Sequence, residues 1–102
     1  MSITIGNYAF EGPFLDPASL RNQSGVYSVL TRASNIDNYS ILDIGESGAV
    51  RDRVGNHDRQ QSWARRAKPA GLSYAAYYCD ERMRMSIEQA LRAKYNPPCG
   101  DR

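Results

Sequence analysis

The sequence predicts a single α+β domain in which a small three-stranded central sheet is flanked by helices, in the order β-β-α-β-α. Three segments are dense in β-branched and aromatic residues, and two others carry apolar residues at helical spacing. Glycine, proline and asparagine separate these segments. A chain of 102 residues has room for one modest core. We therefore expect one domain spanning residues 1–102.

The composition is that of an ordinary globular protein, with 41% hydrophobic and 24% charged residues. No apolar run is long enough to cross a bilayer, so an integral membrane protein is not expected. The N-terminus lacks the basic and apolar regions of a secretory signal. We therefore expect a cytoplasmic protein whose two cysteines, Cys79 and Cys99, are reduced, with a disulfide between them as the alternative.

Residues 1–23 are expected to form an N-terminal arm or strand that covers the core. Apolar residues alternate with polar ones near the start, and Gly12-Pro13 and Asp16-Pro17 divide the segment into turns. Residues 24–100 are expected to form the core of the domain.

The first two core strands are predicted at 24–31 and 39–45, joined by the polar loop 33–38 as a hairpin. The run Gly45-Glu46-Ser47-Gly48 is expected to end the second strand. Ser47 is a candidate N-cap for a helix that follows, because its hydroxyl can accept a hydrogen bond from a free backbone N–H.

The helix that begins near Gly48 is predicted to continue past His57. Val50 and Val54 lie four residues apart on one face, and Arg53 and His57 lie four apart on another. Asp43, at the end of the preceding strand, would lie beside the same opening. This pattern predicts a site at which a carboxylate, a guanidinium and an imidazole meet.

The rest of the chain is predicted to add a short helix holding Trp63, a third strand at 72–79 and a final helix from Glu81 to Tyr95, with Asp80 as its N-cap. Packing in the core is the expected role of Trp63, with stacking on a nucleic-acid base as the alternative. An apolar stripe is expected on the final helix, formed by Met83, Ile87, Ala90 and Leu91. A neighbouring charged face carries Arg84, Glu88 and Arg92.

Several of these residues form an ordered set of landmarks. Gly25-Val26-Tyr27 lies in the first strand, Asp43-Ile44-Gly45 ends the second, and Arg53 and His57 follow Asp43 by ten and fourteen residues. Glu88 lies on the final helix. From 24 to 100 the chain thus resembles the GIY-YIG nuclease family. The chain departs from that family at two positions. Asp43 stands where the family has tyrosine, and Gly100 stands where the family has asparagine.

The resemblance implies metal-dependent cleavage of nucleic acid. It implies that Glu88 binds one Mg²⁺ or Mn²⁺ ion, since these hard cations prefer carboxylate oxygens. Arg53 would hold a phosphate oxygen, Tyr27 would orient or deprotonate a water, and His57 would carry a proton or contact phosphate. Asp43 would either serve as a second metal ligand or base, or mark the loss of the chemistry.

The charge distribution is uneven along the chain. Residues 1–50 carry two basic and five acidic side chains, whereas residues 51–102 carry eleven basic and six acidic ones. A nucleic acid would fit such a basic half, with DNA favoured over RNA. The candidates for contact with its backbone are Arg51, Arg59, Arg65, Arg66 and Lys68.

Two functions are favoured on this sequence over a third, a purely structural domain. One is a small nuclease with Tyr27, Asp43, Arg53, His57 and Glu88 at its site. The other is a catalytically inactive module of the same fold that binds nucleic acid or a protein. A bare domain would take its specificity from a homodimer, an accessory protein or a structured substrate.

Overall fold

The computed structural model describes residues 1–100, which form one five-stranded antiparallel sheet and three α-helices. The strands are β1 (Ser2–Ile5), β2 (Tyr8–Phe14), β3 (Gly25–Thr31), β4 (Ser40–Ser47) and β5 (Leu72–Tyr78). The helices are α1 (Val50–Gly55), α2 (Gln60–Arg66) and α3 (Glu81–Tyr95), and Pro17–Ser19 form a short 3₁₀ turn. The order across the sheet is β1-β2-β5-β3-β4.

The predicted three-stranded sheet is therefore wrong, because residues 1–14 join the sheet instead of lying over it as an arm. β1 and β2 form a hairpin, and β2 pairs with β5 through Glu11 and Ala76. Ile5 and Phe10 become fully buried in this arrangement. Pairing β2 with β5 satisfies backbone groups that would otherwise be open, and it buries apolar surface at the same time.

Strand β4 is also longer than predicted. Glu46 and Ser47 still pair with Val26 and Gly25 of β3, so the Gly45–Gly48 run does not end the strand. Helix α1 has Ala49 as its N-cap, with no side-chain capping bond. The Ser47 hydroxyl instead accepts from the Ala49 N–H in the turn before it. The predicted Ser47 cap is therefore wrong.

Helix α1 ends at Gly55, two residues before His57, so the prediction of one helix carrying both Arg53 and His57 is wrong. Glycine and asparagine are poor helix formers, and the sequence places Gly55 and Asn56 together. His57 then lies in the turn between α1 and α2. That turn, and not helical spacing, decides where the imidazole points.

The two faces of the sheet have separate cores. Tyr27 packs with Val50, Val54 and Trp63 of α1 and α2 on one face. Ile87 and Leu91 of α3 pack on the other face, against a cluster that also contains Val26, Leu30 and Ile44.

Helix α3 confirms the predicted span and cap, since the Asp80 carboxylate accepts from the Met83 N–H. Its predicted apolar stripe is only half correct. Met83 and Ala90 are exposed, whereas Arg92, predicted on the charged face, is buried. Between residues 1 and 100, no helix has both the length and the apolar character that crossing a membrane requires.

Candidate functional site

The site begins with Tyr27, which lies directly opposite Gly45 in the β3–β4 ladder. The phenol ring crosses the Gly45 backbone so closely that a Cβ atom there would collide with the Tyr27 hydroxyl and ring carbons. Only glycine leaves room for the ring. The two landmark tripeptides are therefore linked physically, because the glycine of one makes space for the tyrosine of the other.

His57 packs against Tyr27 and is itself buried. Its Nε2 atom lies 2.8 Å from the Tyr27 hydroxyl oxygen. On its other side the imidazole contacts the indole of Trp63, with ring centroids 4.7 Å apart. Trp63 is thus core packing around the histidine, as the sequence favoured, and it is not exposed for stacking on a base.

The protonation of His57 follows from its neighbours. Burial, followed by the positive charges of Arg53 and Arg59, lowers the pKa of His57 from 6.5 to about 4, so the ring is neutral at pH 7. The backbone N–H of Arg59 points at Nδ1 at 3.0 Å, which requires an unprotonated Nδ1. The ring proton then lies on Nε2 and is donated to the Tyr27 oxygen.

A carboxylate oxygen of Asp58 also lies 3.2 Å from Nδ1 of His57. Because the ring is neutral and Nδ1 already accepts from Arg59, this contact brings two acceptors together. It is not an ion pair at neutral pH. The charged partner of Asp58 is Arg53, whose Nη2 lies 3.3 Å from the same oxygen.

Tyr27 is 2% exposed and keeps its proton at neutral pH. Burial, and then the negative charge of Asp43, raise the pKa of Tyr27 to about 12, while Arg53 acts in the opposite direction. A phenol oxygen that accepts a hydrogen bond from His57 Nε2 leaves the O–H of Tyr27 available for donation. In this state Tyr27 is a hydrogen-bond donor and not a base.

Asp43 is completely buried, and four donors surround its carboxylate. Oδ1 accepts from Arg92 Nη1 and from the Ile44 backbone N–H, each at 2.9 Å. Oδ2 accepts from Arg59 Nε at 2.9 Å and from Trp63 Nε1 at 2.8 Å. With both oxygens occupied in this way, Asp43 has no open position for a metal ion or an attacking water.

The C-terminal segment closes the Asp43 network from outside. The Cys99 N–H donates to the Leu42 carbonyl at 2.9 Å, and Arg92 donates to the carbonyls of Ile44 and Cys99. These bonds cover the open edge of β4, which protects it from pairing with another strand. Gly100 lies so close to Asp43 and Arg59 that a Cβ atom there would be 2.8 Å from Asp43 Oδ1.

Arg92 is a site residue that sequence reasoning missed. It is placed four residues after Glu88 and looked like part of a solvated charged face. The available signal was its position directly after Leu91, on a helix whose buried face faces the sheet edge. That signal can be interpreted only when the acid that pairs with Arg92 is known to be buried, and the sequence does not show that Asp43 is buried.

Glu88 is half-buried on α3, one turn from Arg84 and one turn from Arg92. Arg84 reaches Glu46 at 2.8 Å, and Arg92 reaches Asp43. Glu88 therefore lies along β4 between these two contacts, and it makes interactions of its own with the protein.

Within residues 1–100, no cluster of three or more His, Cys, Asp or Glu side chains is arranged to hold a metal ion. Asp43 is closed, so a site based on Glu88 would have a single protein carboxylate. Such a site suits Mg²⁺, which keeps several waters and takes phosphate oxygens as further ligands.

The predicted backbone-binding residues separate into two groups. Arg51, Arg65, Arg66 and Lys68 are exposed, and Lys68 also donates to the Ser40 hydroxyl at 3.0 Å. Arg59 is different, because only 32% of its side chain is exposed and its Nε atom is paired with Asp43. Arg59 is therefore mainly a counter-ion of Asp43.

Comparison of the chain with protein-family models, with curated proteins and with solved structures gave no match. The resemblance to GIY-YIG nucleases accordingly depends on the sequence landmarks, and any role for the site depends on the geometry described above.

Proposed function

We propose that this chain is a divergent GIY-YIG-type domain that binds nucleic acid and hydrolyses a phosphodiester bond with the help of a divalent metal ion. One observation carries the proposal. Tyr27, Arg53 and His57 come from a strand, a helix and a turn, yet their polar groups meet beside Gly45. Core packing alone would not require a hydroxyl, a guanidinium and an imidazole together at one place.

In this proposal Arg53 holds a non-bridging phosphate oxygen. Its side chain is 42% exposed, and its planar guanidinium can donate two parallel hydrogen bonds to phosphate. Because Arg53 also forms a hydrogen bond with the Tyr27 hydroxyl, a phosphate bound to the Arg53 guanidinium would lie near the phenol. The arginine would thus neutralise charge that develops on the phosphate during cleavage.

As a phenol, Tyr27 would donate its O–H to a phosphate oxygen while its own oxygen accepts a hydrogen bond from His57 Nε2. Only as a phenolate could Tyr27 accept the proton that the attacking water loses. Deprotonation of Tyr27 would require additional positive charge nearby, since its pKa is about 12 in the free protein. A Mg²⁺ or Mn²⁺ ion that Glu88 and the substrate phosphate hold together would supply such charge; Glu88 alone would not bring the ion to Tyr27, because α3 packs on the opposite face of the sheet. The exposed Arg51, Arg65, Arg66 and Lys68 would contact the nucleic-acid backbone.

A second function, binding without cleavage, is favoured by the state of the titratable groups. Tyr27 and His57 are both neutral at pH 7, and the Asp43 carboxylate is closed by four donors. In the free protein none of these three groups is an accessible base. Such a domain would bind nucleic acid through its basic surface, with specificity from a second copy or an accessory protein.

Cleavage assays distinguish the two functions. Labelled single-stranded, duplex and branched DNA, and a matched RNA, would be incubated with Mg²⁺ or Mn²⁺ and with wild type, Glu88→Gln or Arg53→Gln. The matched controls are Glu81→Gln and Arg82→Gln, which change exposed side chains at the start of α3. Cleavage abolished in the two site variants and retained in the controls is the expected result.

Binding in every variant without cleavage under any condition would establish the second function. Failure to bind any of these nucleic acids would contradict both functions.

A further inference from the structure

The loop between α1 and α2 carries an acid that the proposed function does not use. Asp58 follows His57 directly, and 75% of its side chain is exposed. Its Oδ1 atom lies 3.3 Å from Arg53 Nη2. Arg53 is the arginine to which the proposed function assigns the phosphate oxygen.

We propose that the Asp58 carboxylate occupies the phosphate-oxygen position on Arg53 in the free protein and is displaced when nucleic acid binds. This inference rests on the proposed function and adds to it a residue, Asp58, that competes with phosphate for Arg53. A carboxylate and a phosphate present oxygens of similar geometry and charge to a guanidinium. The two anions therefore compete for the same donors.

Two interactions hold the Asp58 carboxylate in this position, the exposed pair with Arg53 and a hydrogen bond from its own backbone N–H. An exposed ion pair contributes little stability, because water screens the charges and both side chains lose conformational freedom when they pair. The same oxygen lies 3.2 Å from Nδ1 of His57, which already accepts the Arg59 N–H and offers no proton. This contact between acceptors opposes the pair with Arg53, so a phosphate oxygen that avoids it can displace the carboxylate.

The position of the pair explains why its displacement would matter. Arg53 also forms a hydrogen bond with the hydroxyl of Tyr27, so the guanidinium that Asp58 occupies is the one that links the phosphate position to the phenol. While Asp58 is paired with Arg53, the Nη2 atom of Arg53 is not free to bind a phosphate oxygen. Asp58 thus sets the affinity of the site for phosphate without belonging to its reacting groups.

Equilibrium binding of a fluorescein-labelled duplex, in EDTA and low salt, tests the inference with Asp58→Asn. The matched control is Asp37→Asn, which makes the same charge change in the loop at the far end of the β3–β4 hairpin. Asp58→Asn is expected to lower Kd by about two- to fivefold relative to Asp37→Asn, as loss of an exposed pair would give. In an Arg53→Gln background the difference between the two variants should disappear.

If the duplex binds and the two variants have equal Kd, the inference is overturned and the proposed function stands. If no variant binds the duplex, the proposed function is wrong, and inorganic phosphate becomes the probe. A larger phosphate-dependent rise in Tm for Asp58→Asn than for Asp37→Asn would still support an anion position guarded by Asp58. Equal rises would overturn it.

Discussion

Arg92 and Asp43 form a buried ion pair between positions 49 residues apart in the chain, with Arg92 Nη1 2.9 Å from Asp43 Oδ1. The pair joins α3 to the edge strand β4. Arg59 supplies a second guanidinium to the same carboxylate, and Trp63 supplies an indole N–H. A buried charge of this kind is tolerated only while its partners remain in place.

Replacing Arg92 with methionine should strongly destabilise the fold. The substitution fills similar space but leaves Asp43 with one arginine and frees the carbonyls of Ile44 and Cys99. Removing one partner of a buried pair typically costs about 3–5 kcal/mol. Urea unfolding would measure the loss, with Arg82→Met on the exposed face of α3 as the control. A loss equal to that of the control would contradict a structural role for the pair.

Placing at position 43 the tyrosine that GIY-YIG nucleases have, through Asp43→Tyr, should also destabilise the protein. The carboxylate is fully buried, and Gly100 lies against it, so a phenol ring has no space. The ring would also leave Arg59 and Arg92 without their acceptor. We expect a loss of about 3 kcal/mol or more.

Thermal unfolding of Asp43→Tyr and of Asp43→Asn, which preserves size, would test this order of stability. The asparagine variant should lie between wild type and the tyrosine variant. A tyrosine variant as stable as wild type would show that the C-terminal segment can move aside.

Gly45→Ala should be destabilising, while Gly55→Ala should not be. A Cβ at position 45 would collide with the Tyr27 ring, and overpacking of a buried site costs about 1–3 kcal/mol. A Cβ at position 55 meets nothing within 4 Å. Alanine there should stabilise α1 by about 0.5–1 kcal/mol, because it restricts the unfolded chain more than glycine does. Chemical denaturation of both variants measures the contrast, and equal effects would contradict the close approach of Tyr27.

The stability of the protein should fall between pH 6.5 and pH 4 because of His57. Its folded pKa of about 4 lies below the unfolded value of 6.5, so the unfolded chain takes up the proton first as the pH falls. The contribution of His57 is complete above pH 6.5 and is lost as the pH approaches 4.

Denaturation at pH 7 and pH 5 would measure this loss, which should be smaller in His57→Gln. The chain has one histidine, so an NMR titration reports its pKa directly. A value near 6.5 would contradict the buried neutral ring.

Much of the framework can be derived from the sequence, because it follows from local physics. The β-branched and aromatic runs place β3 and β5, and the capping geometry of Asp80 fixes the start of α3. The spacing of Val50 and Val54 correctly identifies the buried face of α1. Each of these features depends on residues within a few positions of one another.

The tertiary structure decided the features that depend on distant partners. Whether residues 1–14 form an arm or two strands depends on whether β5 has an open edge, which no local pattern reveals. Likewise, Asp43 looked like an open carboxylate and Arg92 like a solvated cation until the fold brought them together. Burial of charge is a property of the assembled sheet and helices, since it requires partners from separate elements at one point. The sequence and the family resemblance therefore named Tyr27, Arg53 and His57 as neighbours, whereas only the fold showed how they meet and that Asp43 is buried among four donors in the core.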